Sequence, residues 1–274
     1  MAQKVAGKNV LVTGGASGLG AAYVAKFLGL GAKNVAVLDV AEQAGKALVE
    51  RLNQTKAGQV VFIKCDVSKE EEITSAFNEV LATFKQIDIL INNAGIMFDS
   101  PDLWRKACDV NWQGVVSFTM KAIDHMNKAN GGAGGTIINI SSIAAIAKGP
   151  LLPIYAGSKM AVLHFSQSIA MDPFFAQTGI RILTMCFGPT DTALLEDLEK
   201  RSYSPQLGKV LAQCLSAIPT GYQKISSAVN AVVQMYESGP PGSIWHSAED
   251  KPGRDITKIL DAAFTEFDKS ILKA

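Results

Sequence analysis

The chain has 274 residues, 48% of them hydrophobic, enough to bury a large core. No linker, repeat or low-complexity tract divides it, so one domain over 1–274 is expected. Its 26 Lys and Arg offset 25 Asp and Glu, for a formal net charge of +1, and no basic run is present to follow a phosphate backbone, which argues against nucleic acid as a partner.

The apolar run after the N-terminal Met-Ala-Gln-Lys is too short for a signal peptide or a membrane span, so a cytoplasmic protein without membrane contact is expected. Asn9–Thr13 is a β-branched run ending in Gly14-Gly15-Ala16-Ser17-Gly18-Leu19-Gly20, and Ala21, Ala22, Val24, Ala25, Phe27 and Leu28 follow at helical spacing. Strand, glycine turn and helix in that order suit a pyrophosphate: glycines let main chain approach closely, and the helix start offers free N–H groups and the positive end of its dipole. A second strand, Asn34–Leu38, ends in Asp39, about 20 residues past the last glycine. A carboxylate there accepts from both ribose hydroxyls of an adenosine and repels a 2′-phosphate, which favours NAD over NADP. Capping of a helix that begins near Ala41 is the alternative role for Asp39.

A helix over 41–55 and a strand over Gln59–Cys65 lead to Asp66-Val67-Ser68. In a doubly wound sheet the ligand crevice follows the carboxyl ends of the strands, which places Asp66 and Val67 beside an adenine; a helix cap is an equally good use of Asp66 or Ser68. A helix over 69–85 precedes the strand Ile87–Ile91 and Asn92-Asn93-Ala94-Gly95, small groups suited to close contact with a sugar. A long helix from Asp102 to Met126 contains Asn111, a poor helix former that implies a polar partner. The strand Thr136–Ile140 ends in Ser141-Ser142. Thirteen residues after Ser142, Tyr155-Ala-Gly-Ser-Lys159 opens a long apolar helix with Tyr155 and Lys159 one turn apart on one face. A phenol has an ordinary pKa of about 10; an ammonium that lowers it by two or three units, worth roughly 3 to 4 kcal/mol, lets the pair exchange a proton with an alcohol. On its own a Tyr-x-x-x-Lys pair fits an ordinary helix surface as well.

The strand Ile180–Cys186 runs into Phe187-Gly188-Pro189-Thr190-Asp191-Thr192. Residues 193–220 lack a strand and read as a mobile helical excursion. A helix near 224–237, the strand Gly242–Trp245 and a helix near 256–271 within a tail over 249–274 complete the chain. The strand–helix alternation predicts an α/β doubly wound sheet. Cys65, Cys108, Cys186 and Cys214 are widely spaced and read as reduced, buried thiols; His125, His164 and His246 stand alone, and no metal is expected.

Taken together, Thr13-Gly14-x-x-x-Gly18-x-Gly20, Asp39, Asp66-Val67, Asn92-Asn93-Ala94-Gly95, Asn111, Ser142 and Tyr155-x-x-x-Lys159 resemble the short-chain dehydrogenase/reductase family over residues 7–248. Gly242–Trp245 and Thr192–Glu196 look most like its branch of insect-type alcohol dehydrogenases and 15-hydroxyprostaglandin dehydrogenases. The resemblance implies a Rossmann-type, seven-stranded parallel sheet with helices on both faces. It implies Tyr155 as general base, Ser142 on the substrate oxygen, Lys159 on the nicotinamide ribose and Asn111 anchoring a relay water. Gly14, Ser17, Gly18, Leu19 and Gly20 would line the pyrophosphate, Asn93, Ala94 and Gly95 would pass beneath the ribose, and Pro189, Thr190 and Thr192 would meet the carboxamide. Two departures stand out. Phe187-Gly188 replaces the Pro-Gly of most members, and Leu152 replaces a Gln of the prostaglandin enzymes. Leu151, Leu152, Ile96, Met97, Phe98, Leu194 and Leu195 then suggest an apolar pocket, or simply packing. The function implied is NAD-dependent oxidation of a secondary or long apolar alcohol (fatty, terpenoid or steroid). An NADPH-dependent ketone reductase and a silent lipophilic-ligand binder are the alternatives. Family habit also implies a homodimer through the helices of Asn111 and Tyr155, with Trp104, Trp112, Phe165 and Ile169 facing either the partner or the sheet.

Overall fold

A computed structural model describes residues 3–55, 58–218 and 221–272. Seven parallel strands, β1 (Asn9–Thr13), β2 (Asn34–Asp39), β3 (Gln59–Lys64), β4 (Ile89–Asn92), β5 (Gly135–Ser142), β6 (Ile180–Phe187) and β7 (Ile244–Ser247), lie in the order β3-β2-β1-β4-β5-β6-β7. The expected doubly wound parallel sheet is therefore present. An eighth strand, β8 (Arg254–Asp255), adds to the β7 edge in the antiparallel sense, a two-residue run too short to leave a sequence signal.

The helices are α1 (Gly18–Gly29), α2 (Glu42–Asn53), α3 (Glu70–Phe84), α4 (Trp104–Cys108), α5 (Gly114–Met126), α6 (Pro153–Ile169), α7 (Phe174–Thr178), α8 (Leu198–Arg201), α9 (Pro205–Ser216), α10 (Ile225–Ser238) and α11 (Thr257–Phe267). Strand side chains alternate between faces, so one strand feeds two cores. Val10 and Val12 pack with Tyr23, Phe27, Val232 and Tyr236 of α1 and α10, while Leu11 between them packs with Ile73, Phe77 and Phe118 of α3 and α5. Burial on both faces explains why the central strands read as continuous apolar runs.

Three local departures from the sequence expectations have physical causes. The helix expected over 102–126 starts at Trp104 and is interrupted by a π-helical segment, Asp109–Gln113, centred on Asn111. The Asn111 amide takes both main-chain groups of Ile96, at 2.8 Å each, and the widened turn accompanies that engagement. β7 begins two residues later than expected, because Gly242 at φ 79° makes a turn rather than a strand. The excursion holds α8 and α9, with residues 219–220 outside the described residues, as are the last two residues of the tail. Cys65 and Cys186 are buried as expected, but Cys108 is half-buried and Cys214 lies exposed on α9, whose apolar face is turned to the cleft instead. No helix among the described residues is long and apolar enough to cross a membrane.

Candidate active site

The strand order reverses between β1 and β4, and there the carboxyl ends of the strands open into a cavity of about 610 Å³. The glycine turn forms one end. Gly14 and Gly18 have φ of 62° and 50°, and α1 starts at Gly18 behind Ser17, with no side chain capping its first turn and no acidic residue in it. Those N–H groups therefore lack a side-chain partner where Gly14, Ser17, Gly18, Leu19 and Gly20 line the cavity. A Cβ on Gly18 would meet nothing closer than Thr192 at 3.8 Å, so the missing side chain leaves room on the cavity side.

Asn93 and Thr13 brace this turn. Asn93 Nδ2 donates to the carbonyls of Thr13 and Gly14, and the Thr13 hydroxyl accepts from the N–H groups of Asn93 and Ala94. Asn93, Ala94 and Gly95 also line the cavity. Asp39, at the end of β2, accepts from Ala16 N at 3.0 Å and Ala41 N at 2.9 Å. It thus ties the glycine turn to the approach to α2 while facing the cavity, with carboxylate lone pairs to spare. Asp66 and Val67 form the same wall. Burial would raise the Asp66 carboxyl, but hydrogen bonds from Ser68 and the ammonium of Lys106, 3.3 Å away, outweigh it and hold the group below its ordinary value.

At the other end stand Ser142, Tyr155 and Lys159, with Pro189, Thr190 and Thr192 opposite. Ser142 closes β5, and its Oγ accepts from Ala144 N at 3.1 Å. Lys159 is 3% exposed; its Nζ donates to Ile140 O at 3.0 Å and lies 5.9 Å from the centre of the Tyr155 ring. Burial lowers the Lys159 ammonium to about 8. Burial also raises the Tyr155 phenol, with the neighbouring Ser142 hydroxyl opposing it. In the protein alone, desolvation thus keeps the phenol above its ordinary value, and the pull against it comes from Ser142.

Of the expected catalytic and cofactor-binding residues, Asn111 alone does not line the cavity. It is fully buried behind Gly95, with its amide on Ile96 and on Ser158 Oγ. A Cβ on Gly95 would sit 3.3 Å from Lys159 Nζ and 3.4 Å from Asn111 Oδ1, so a side chain there would crowd the lysine end and the amide slightly. Ile96, Met97, Leu152, Leu194 and Leu195 line the apolar part as expected, joined by Leu211 and Leu215 of α9. Leu151 packs behind them, and Phe98 does not line the cavity: its ring lies under the Arg201 guanidinium. Phe187 and Gly188 both line the wall, and a Cβ on Gly188 would come within 2.7 Å of Ala248 Cβ.

Asp99 was not foreseen. It is fully buried in the loop after β4 and accepts from Ile154 N at 2.7 Å and Tyr155 N at 3.0 Å. α6 has no cap of its own, so Asp99 supplies one from 55 residues away and fixes the turn that carries Tyr155. Burial raises its carboxyl against the pull of the two N–H groups. Asp99→Ala is expected to cost about 1 to 2 kcal/mol of stability and to lower kcat more than it changes KM. Asp99→Asn, which keeps an accepting oxygen, should recover part of both, as urea unfolding and steady-state rates would show. No loss of kcat in Asp99→Ala would refute the positioning role.

The family model described as short chain dehydrogenase matches residues 8–202. Human 15-hydroxyprostaglandin dehydrogenase [NAD(+)] is 38% identical over 197 residues, covering 72% of this chain and 73% of the relative. Alcohol dehydrogenase 1 of Ceratitis cosyra is 34% identical over 264 residues, covering 96% and 98%. Among solved structures, a 7α-hydroxysteroid dehydrogenase complexed with NADH and 7-oxo glycochenodeoxycholic acid superposes with a TM-score of 0.75 at 25% identity, covering 91% of this chain and 96% of the other. With the glycine turn, Ser142, Tyr155 and Lys159 gathered at one cavity, these matches make the chain an oxidoreductase of the short-chain dehydrogenase family, in the branch of 15-hydroxyprostaglandin and insect alcohol dehydrogenases.

Proposed function

We propose that the protein oxidises a secondary or long apolar alcohol to the carbonyl with NAD, Tyr155 acting as general base. The observation that carries this reading is the convergence of Tyr155, Lys159 and Ser142 at one end of a cavity whose other end offers uncapped helix N–H groups and the Asp39 carboxylate. These residues fit a dinucleotide: Gly14, Ser17, Gly18, Leu19 and Gly20 would hold its pyrophosphate, Asp39 the adenosine ribose, and Asp66 and Val67 its base. Asn93, Ala94, Gly95 and Lys159 would meet the second ribose, and Pro189, Thr190 and Thr192 the carboxamide.

A nicotinamide held there would supply the hydride-accepting chemistry for the carbinol carbon. Tyr155 takes the hydroxyl proton, and Ser142 donates to the same oxygen and fixes it against the phenol. Lys159 holds positive charge beside the phenolate. The Asn111 amide donates to Ile96 O and Ser158 Oγ and accepts from Ile96 N, which leaves one lone pair of its Oδ1 for a relay water. The apolar walls of Met97, Leu152, Leu194, Leu195, Leu211 and Leu215 exclude water and select a hydrocarbon substrate. Human 15-hydroxyprostaglandin dehydrogenase, named for NAD(+), supports the same cofactor here.

Initial rates with one secondary alcohol and either cofactor test this. Asp39 predicts kcat/KM with NAD at least about tenfold above that with NADP; equal rates or a preference for NADP would overturn its role. The outward faces of α5 and α6 carry exposed Met120 and Met160 beside the half-buried pair Trp112 and Phe165, whose rings are 5.4 Å apart, and we read this surface as a homodimer interface. Light scattering should then give about twice the 29.1 kDa chain mass, and a monomer would exclude it.

A further inference from the structure

Beyond Lys159 beside Tyr155, the substrate end of the cavity carries one charged side chain among the described lining residues, Arg201 at the end of α8. The other four charged lining residues are already engaged. Asp39 takes two main-chain N–H groups, Asp66 and Lys106 pair with each other, and Lys159 sits on Ile140 O beside Tyr155. Arg201 has no carboxylate within 4.0 Å among the described residues. Its guanidinium donates to Leu194 O at 3.3 Å and Ala193 O at 3.1 Å, and it stacks over Phe98 with 5.1 Å to the ring centre.

Two of its five N–H groups are thus used and three are free. The carbonyls and the ring hold the fork in place without neutralising it. Its main-chain oxygen is fixed as well, accepting from Asp99 N at 2.7 Å, which joins α8 to the loop that caps the Tyr155 helix. A preorganised, half-buried guanidinium at the edge of an apolar wall is suited to a planar anion, because the ordering cost is already met and water competes less there.

We propose that the substrate is an apolar alcohol bearing a carboxylate remote from its hydroxyl, and that Arg201 binds this carboxylate. The proposal rests on the dehydrogenase reading and narrows its substrate class. The hydroxyl reaches Tyr155, the hydrocarbon lies along Leu152, Leu194, Leu211 and Leu215, and the carboxylate ends at Arg201.

The test compares a medium-chain fatty acid hydroxylated next to its methyl end with its methyl ester. The wild type should favour the acid by about tenfold in kcat/KM, mainly through KM. Arg201→Gln keeps an amide donor for the two carbonyls but removes the charge, and should bring the acid-to-ester ratio close to one. Arg201→Lys, a point charge, should restore part of it. Equal treatment of acid and ester by the wild type, equal loss on both in Arg201→Gln, or a variant whose main change is a raised KM for NAD would overturn the proposal. A turnover-free measurement separates it from the dehydrogenase reading: decanoate, titrated calorimetrically into protein saturated with NADH, should bind about tenfold more weakly to Arg201→Gln than to the wild type. If neither alcohol is oxidised, the dehydrogenase reading fails, yet Arg201-dependent decanoate binding would still support the carboxylate site and its absence would still overturn it.

Discussion

Tyr155→Phe is expected to lower kcat for alcohol oxidation by about a thousandfold, the usual worth of a positioned general base. It should leave NAD affinity nearly intact, since the dinucleotide's proposed contacts lie mainly on the glycine turn, Asp39 and the Asn93–Gly95 segment. The pH profile carries the same information. Burial lifts the Tyr155 phenol and lowers the Lys159 ammonium to about 8, so the buried pair gives up its first proton near that pH. The state with phenolate and ammonium and the state with phenol and neutral amine contain the same number of protons, so both appear together as pH rises. Wild-type kcat/KM for oxidation should therefore rise with pH through about 8, and the residual activity of Tyr155→Phe should lose that rise. A variant that keeps wild-type kcat would remove Tyr155 from the chemistry.

Gly20→Ala should have a larger structural effect than alanine at any other glycine of the chain's first half. A Cβ at Gly20 would fall 1.9 Å from Gly14 O and 2.8 Å from Asn93 Nδ2. Neither atom can retreat alone, because Asn93 Nδ2 is bonded to that same Gly14 carbonyl and to Thr13 O, and Gly14 itself lies against Ala94. The turn must open, separating the end of β1 from the segment after β4. A stability loss of about 2 to 4 kcal/mol and a fall in NAD affinity of about a hundredfold are expected, measurable by urea unfolding and cofactor titration. Gly29→Ala, in the same helix with open space around the new methyl, is the control and should be neutral or mildly stabilising. Equal behaviour of the two variants would contradict the close packing of the turn.

What the sequence disclosed, and what it did not, follows from how far apart the partners lie. The glycine turn, Asp39 and Asp66-Val67 are legible because each sits at the end of a strand, where a short local pattern dictates both backbone and exposure. Tyr155 and Lys159 are legible because a helix brings i and i+4 together. Asp99 left no such trace: its partners are main-chain N–H groups 55 residues on, and its neighbours Phe98 and Ser100 give no periodic signal. Arg201, Leu211 and Leu215 were missed for a related reason. They lie in the excursion after β6, where only the folded arrangement of α8 and α9 decides which residues reach the cavity. Phe187 reads as a disturbance of the cavity wall, yet it is 6% exposed and contributes to both core and wall, while Gly188 lies close against Ala248. The raised phenol leaves no trace in the sequence, because spacing reveals the neighbouring charge but not the desolvation of a buried ring.

The most direct measurement incubates the purified protein with NAD and a secondary alcohol deuterated at the carbinol carbon, followed by mass spectrometry of cofactor and product. Direct hydride transfer predicts ketone and reduced cofactor in equal amounts, with the deuterium carried on the nicotinamide. Reduced cofactor without deuterium, or no reduction of NAD by any secondary or long-chain alcohol under conditions where NADPH reduces the matching ketone, would contradict it.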